Sequence, residues 1–226
     1  MTSLAAQMPA AVLFDLDGTL VDSVPDLARA VDQMLEALGR APAGVELVRQ
    51  WVGNGAEVLV KRALGRDMEG SLNVDDAELF PVARDLFFGA YAQANGRSSQ
   101  IYPGVEAALE WYREQGTPMA VVTNKPGAFT DQLLAQLGLA GYFAVVVAGD
   151  TLAEKKPSAA PLLHACDRLG QNAAAALMVG DSSVDVAAAR AAGCPVVCVS
   201  YGYNKGAPIS EAGADRVIDS LVELIR

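Results

Sequence analysis

Five short apolar runs rich in β-branched residues recur along the chain: AAVLF ending at Phe14, MAVVT ending at Thr123, FAVVVAG around Val146, ALMVG ending at Gly180 and PVVCVS ending at Ser200. They read as buried parallel strands. A short sixth strand is expected around Val217. Between the later runs, apolar positions return at helical spacing: Val105/Leu109/Tyr112, Phe129/Leu133/Leu137, Leu162/Cys166/Leu169 and Val186/Arg190. Each pattern closes near a glycine, at Gly116, Gly138, Gly170 and Gly193. The alternation predicts an α/β fold with a Rossmann-like open parallel sheet.

The first crossover departs from that rhythm. From Asp22 to about Gln100 no strand pattern stands out, but helical ones do. Leu27, Val31, Met34 and Leu38 are spaced along one face between Pro25 and Gly39, and Leu59/Ala63 and Leu79/Leu86/Ala90 continue the theme. This predicts an inserted α-helical cap of roughly 75–80 residues, the size of a small domain. The expected division is a core of residues 1–21 and 101–226 and a cap of residues 22–100.

Hydrophobic residues make up 52% of the 226, too many for a disordered chain and enough for a substantial core. The formal net charge of -10 repels polyanions, so no nucleic-acid partner is expected and any phosphate must be gripped locally. Cys166, Cys194 and Cys198 are odd in number and lack CxxC spacing, against a disulfide framework or a zinc site and in keeping with a reducing, cytoplasmic setting. No uncharged apolar run reaches the ~18 residues of a membrane span, and Asp15 and Asp17 interrupt the place where a leader's apolar stretch would continue. The chain is expected to be soluble, with no membrane partner. A single histidine, His164, would have to serve any His-based phosphatase, Ser-His-Asp hydrolase or multi-histidine metal site. It falls inside the amphipathic stretch PLLHACDRL and reads as an ordinary helix residue.

Polar residues follow four of the strands directly. The first runs into Asp15-Leu16-Asp17-Gly18-Thr19, where carboxylates two residues apart leave an extended backbone on the same side. They repel each other unless a divalent cation such as Mg²⁺ lies near them, although Asp and Gly are also ordinary turn residues. Gly18 allows a tight turn beside a ligand, and Thr19 adds a hydroxyl. Thr123, Asn124 and Lys125 follow the second strand, where an oxyanion could sit, and Lys155-Lys156-Pro157 follows the third. After the fourth come Asp181 and Asp185, at i,i+4 on one helix face. The helix dipole favours them there, and their mutual repulsion calls for a metal or a lysine. All four groups stand at the edge where open parallel sheets bind ligands.

These residues resemble the haloacid dehalogenase-like superfamily of aspartyl-phosphate hydrolases over nearly the whole chain. The matching motifs are FDLDGTLVDS (Phe14 to Ser23), VVTNK ending at Lys125, KKP (Lys155 to Pro157) and VGDSSVD ending at Asp185. The segments WVGNGAEVLVKRAL (Trp51 to Leu64) and SYGYNKG (Ser200 to Gly206) look like those of the bacterial phosphoglycolate phosphatases within it. The resemblance implies Mg²⁺-dependent hydrolysis of a small organic phosphate, 2-phosphoglycolate, with Asp15 as nucleophile and Asp17 as the acid/base. It also implies that Mg²⁺ is held by Asp15, the Asp17 backbone carbonyl and Asp181, with Asp185 supporting. Lys156 would neutralise the phosphoryl group, and Thr123, Asn124, Gly18 and Thr19 would orient it.

The chain departs from the pattern at Ser158-Ala159-Ala160, where such phosphatases often carry a second proline; a φ restraint at the next helix, and some rigidity around Lys156, are expected to be lost. For the substrate's carboxylate, the expected cap partners are the amides of Gly53-Asn54-Gly55 and the guanidinium of Arg62, which follows Lys61 on the next helical pattern, unless those glycines form a turn and the two cations a solvated face. Other phosphatases of the superfamily, a phosphomutase, a pyrophosphatase or a phospho-acceptor domain remain alternatives, whereas Asp17 and Asp181 disfavour a dehalogenase. No GxxxxGK[ST] loop exists, Val58 breaks a GxGxxG pattern, and no arginine stands six residues after a cysteine.

Overall fold

The computed structural model describes residues 8–225. Six strands form one sheet: β1 (Ala11–Phe14), β4 (Met119–Val122), β5 (Val145–Val147), β6 (Ala176–Gly180), β7 (Val196–Val199) and β8 (Arg216–Ile218). All pairings are parallel and the order is β5-β4-β1-β6-β7-β8, so β1 lies near the middle, with Val12 beside Met119 on one flank and Leu177 on the other.

Strand alternation sends Val12 and Phe14 to one face and Ala11 and Leu13 to the other. The first face packs on α5 (Val105–Glu114) and α6 (Gly127–Gln136) through Leu109, Tyr112 and Leu133. The second packs on α7 (Ala160–Leu169) and α8 (Ser183–Ala192) through Leu162, Cys166 and Ala189. With both faces covered, the strands read as unbroken apolar runs. His164 lies on α7, as its surroundings predict.

The insert forms α1 (Val24–Ala37), α2 (Val45–Trp51), α3 (Ala56–Gly65) and α4 (Val74–Ala94), joined around Val31, Leu35, Trp51, Val60, Phe87 and Tyr91. The expectation of a strand-free insert needs correction at its edges, because β2 (Val21–Asp22) and β3 (Gln100–Ile101) pair antiparallel where the chain leaves and re-enters the core. Two-residue strands are too short to show a period. The seven-residue α2 leaves no clear periodic pattern for the same reason. The expected inner row of α4 is also corrected: Ala83, Phe87, Tyr91 and Ala94 are buried, whereas Leu86 is exposed. Apolar residues lie on more than one side of α4, so periodicity alone does not choose the buried one.

Candidate active site

The sheet delivers the polar groups. Asp15 continues the β1 pairing by donating its N–H to Val179 O at 2.9 Å, and Thr123 continues β4 with an N–H to Val147 O at 2.9 Å. Both side chains therefore start from fixed main chain at the sheet's C-terminal edge. Asp15, Asp17, Thr123, Asn124, Lys125 and Lys156 line a cleft of ≈ 490 Å³ including its mouth, roofed by cap residues Leu27, Val52, Leu59 and Tyr91.

Asp15 and Asp17 of the first motif each have their own lysine. Lys156 Nζ lies 2.8 Å from Asp15 Oδ1 and 2.7 Å from Asp185 Oδ1. Lys125 Nζ lies 3.0 Å from Asp17 Oδ1 and donates to the Tyr91 hydroxyl of the cap, while Ser23 Oγ donates to Asp17 at 2.5 Å. The repulsion between Asp181 and Asp185 is met on the Asp185 side by a lysine: Asp185 accepts from Lys156, from the N–H groups of Asp181 and Ser182 and from Ser182 Oγ.

Asp15, Asp181 and Asp185 each offer a carboxylate oxygen, all within 4.8 Å of one another and all buried. Among the described residues, only Lys156 balances these three charges at close range. Burial therefore pushes the Asp15 carboxyl up to about 7 against the opposing pull of Lys156, with Asp185 adding to the rise. Burial, then the charges of Asp185 and Asp15, also raise Asp181. Burial opposes the charge on Lys156, but Asp15 and Asp185 outweigh it and hold the ammonium above its ordinary value. An all-oxygen, over-negative cluster of this kind suits a hard divalent cation. Asp185 already serves four donors, which leaves Asp15 and Asp181 as the side chains able to hold one.

Several expected ligand contacts turn out to be internal ones. Thr19 Oγ1 donates to Asp181 Oδ1 at 3.2 Å, so it orients a carboxylate rather than a phosphate. The Gly18 N–H is taken by Val21 O at 2.9 Å; with φ +93 and a space in which a Cβ would come 2.3 Å from Asp181 Oδ2, Gly18 lets the two loops close together. The Asn124 carboxamide is also committed. Oδ1 accepts from Lys156 N at 3.0 Å, and Nδ2 donates to Lys156 O at 3.0 Å and to Gly53 O of the cap at 3.2 Å.

That clamp bears on the Ser158-Ala159 departure, because the Lys156 main chain is fixed from the side. Pro161 stands in the first turn of α7 and Ser158 Oγ accepts from Ala160 N at 3.2 Å, so the expected loss of a φ restraint does not occur.

Arg62 needs the largest correction. It is buried, and its guanidinium donates to Trp51 O at 2.6 Å, Met68 O at 2.7 Å and Asn54 Oδ1 at 3.0 Å, tying the cap loops together away from the cleft. This also occupies the Asn54 Oδ1. Gly53 and Gly55 do line the cleft, at the start of α3. Residues the sequence reading did not assign a role are Lys125, which closes the second motif, Ser23, which closes the first, and Tyr91, for which no local pattern exists.

Among the described residues no helix is long and apolar enough to cross a membrane. Residues 9–193 match the family model for haloacid dehalogenase-like hydrolases. A phosphoglycolate phosphatase of Nitrosococcus oceani is 50% identical over 96% of both chains, and one of Pseudomonas fluorescens is 51% identical over 97% of this chain and 79% of its own. The crystal structure of a predicted phosphoglycolate phosphatase from Haemophilus somnus superimposes with TM-score 0.89 at 36% identity, covering 97% of this chain and 98% of that one. With its α/β core, its helical insert and its acidic strand-end cluster, the chain belongs to the haloacid dehalogenase-like hydrolases.

Proposed function

We propose that this hydrolase is a Mg²⁺-dependent phosphatase that converts 2-phosphoglycolate to glycolate and phosphate through an aspartyl-phosphate on Asp15. The observation that carries the reading is the pairing at the cleft floor: Asp15 held by Lys156, and a second carboxylate, Asp17, held separately by Lys125. The names and about 50% identity of the relatives support the substrate. Residues 22–100 are taken as the cap over a core of 1–21 and 101–226, and the three free, buried cysteines suit a reducing cytoplasm.

In this scheme an Asp15 oxygen attacks phosphorus as the bond to the glycolate oxygen breaks, and Asp17 gives that oxygen its proton. Asp17 then takes a proton from the water that attacks the phospho-aspartate, so phosphate leaves and Asp15 is restored as a carboxylate. Lys156 offsets charge on the phosphoryl oxygens, and the Thr123 hydroxyl orients them. Asp15, Asp181 and the Asp17 carbonyl would hold Mg²⁺, which when bound supplies further charge neutralisation. The substrate's carboxylate faces the roof, where the first turn of α3 has N–H groups without intrahelical partners. The apolar roof limits the leaving group to a small one.

A panel of 2-phosphoglycolate, hexose phosphates, nucleotides and pyrophosphate, read by phosphate release, tests the substrate. The highest kcat/KM is expected for 2-phosphoglycolate, and a hexose phosphate in first place would replace the proposed substrate.

Arg62→Ala is expected to cost about 2–4 kcal/mol of stability, from lost buried charged hydrogen bonds. It should lower kcat/KM for 2-phosphoglycolate and for an uncharged aryl phosphate by the same factor. A loss confined to 2-phosphoglycolate would return Arg62 to carboxylate recognition.

The Asp15 shift gives a sign for metal removal. Its folded value exceeds its ordinary 3.8, so the stability it contributes is present below 3.8 and lost as pH rises through about 7. A cation offsets that loss. After EDTA treatment, saturating Mg²⁺ should restore activity and raise Tm more at about pH 8 than at about pH 5. A Tm gain independent of pH would contradict the cluster's role.

A further inference from the structure

The segment Ser200–Gly206 takes no part in the chemistry above, yet it touches that chemistry and the cap at once. On the core side, the Tyr203 N–H donates to Asp181 Oδ2 at 2.6 Å. The Tyr201 hydroxyl donates to the carbonyl of Thr19 at 2.9 Å, and Thr19 in turn holds Asp181 Oδ1 at 3.2 Å. Gly202 is packed so tightly that a Cβ on it would stand 2.1 Å from Asp181 Cβ. On the cap side, the Tyr203 hydroxyl donates to Asp22 Oδ1 at 2.6 Å and accepts from Ser23 N at 3.0 Å, where the chain leaves β2 for α1. The buried Tyr203 ring packs in the cap's apolar cluster. The Arg49 guanidinium of α2 lies 5.3 Å from that ring's centroid and 3.7 Å from Asp22.

We propose that Tyr203 is a positioning residue that couples cation binding at Asp181 to the setting of the cap. Its main chain grips the carboxylate, its hydroxyl grips the β2–α1 junction, and a rigid aromatic ring in a close-packed site joins the two. A small shift of Asp181 toward a cation is thereby passed to Asp22 and Ser23. Coupling of this kind is reciprocal, so a cap held in the matching position also tightens the cation site. The inference rests on the reading of Asp181 as a cation ligand.

Tyr203→Phe separates the two ends of the lever, keeping the ring and the N–H to Asp181 while removing the hydroxyl from the β2–α1 junction. Amide hydrogen exchange of the segment from Asp22 to Ala28 and of α2 is followed with and without Mg²⁺, beside calorimetry of Mg²⁺ binding. In the wild type, Mg²⁺ is expected to slow exchange there by at least about fivefold, the lower end of measured couplings. In Tyr203→Phe, Mg²⁺ should still bind but the slowing should vanish. Arg49→Ala should keep the response at Ser23 and weaken it along α2. The same Mg²⁺-induced slowing in Tyr203→Phe as in the wild type overturns the proposal. If calorimetry finds no Mg²⁺ binding to the wild type, the cation reading fails and the coupling with it, whereas binding without slowing in the wild type rejects the coupling alone.

Discussion

Asp15→Asn is expected to reduce turnover by about 10⁴-fold or more while the protein stays folded. The amide keeps the shape at the end of β1 but cannot act as the nucleophile. Lys156 loses one partner and keeps Asp185 at 2.7 Å, so no buried ammonium is orphaned. The change also removes a charge from a cluster in which three carboxylates face one close lysine. Metal-free Asp15→Asn should therefore melt no lower than the wild type at about pH 8, where the wild-type carboxyl is ionised against its burial. Steady-state kinetics with thermal melts checks both halves. Retention of more than about a hundredth of the activity would remove Asp15 from the covalent role.

Asp17→Asn should lower turnover of 2-phosphoglycolate by about 10²–10⁴-fold, the span of general acid–base catalysis. Its distinguishing feature is a trapped intermediate. An aryl phosphate with a stable phenolate leaving group needs no proton from Asp17, so Asp15 still takes the phosphoryl group. Water is then poorly activated, and the phospho-aspartate accumulates. Intact-mass spectrometry should show one added phosphoryl group in Asp17→Asn and none in the Asp15/Asp17 double variant. Near-wild-type turnover would leave Asp17 with only its backbone carbonyl to contribute. Lys125 remains next to Tyr91 in this variant, so the cap-to-core contact at that point persists.

The six-stranded core and the helical insert were readable because burial on both faces writes itself locally, as continuous apolar runs and helical rows. The strand-end groups were readable for a related reason. Asp15, Thr123 and Asp181 each stand directly after a strand, so topology alone carries them to one edge of a parallel sheet. Tertiary structure decided which of these polar groups face the cleft and which face one another. The partners that settle this are far apart in the chain: Thr19 with Asp181, Asn124 with Lys156, and Tyr203 with Ser23. No local period encodes such pairs. Their meeting depends on the strand order, which sets β6 beside β1 and β4 on its other flank. Arg62 shows the same limit within the cap. Its sequence neighbourhood describes a cation on an amphipathic helix, but the carbonyls of Trp51 at the end of α2 and of Met68 in a loop, with the Asn54 amide oxygen, bind the guanidinium and withdraw it from the substrate. A buried charge must find its hydrogen-bond partners wherever the fold places them, and only the folded chain determines where that is.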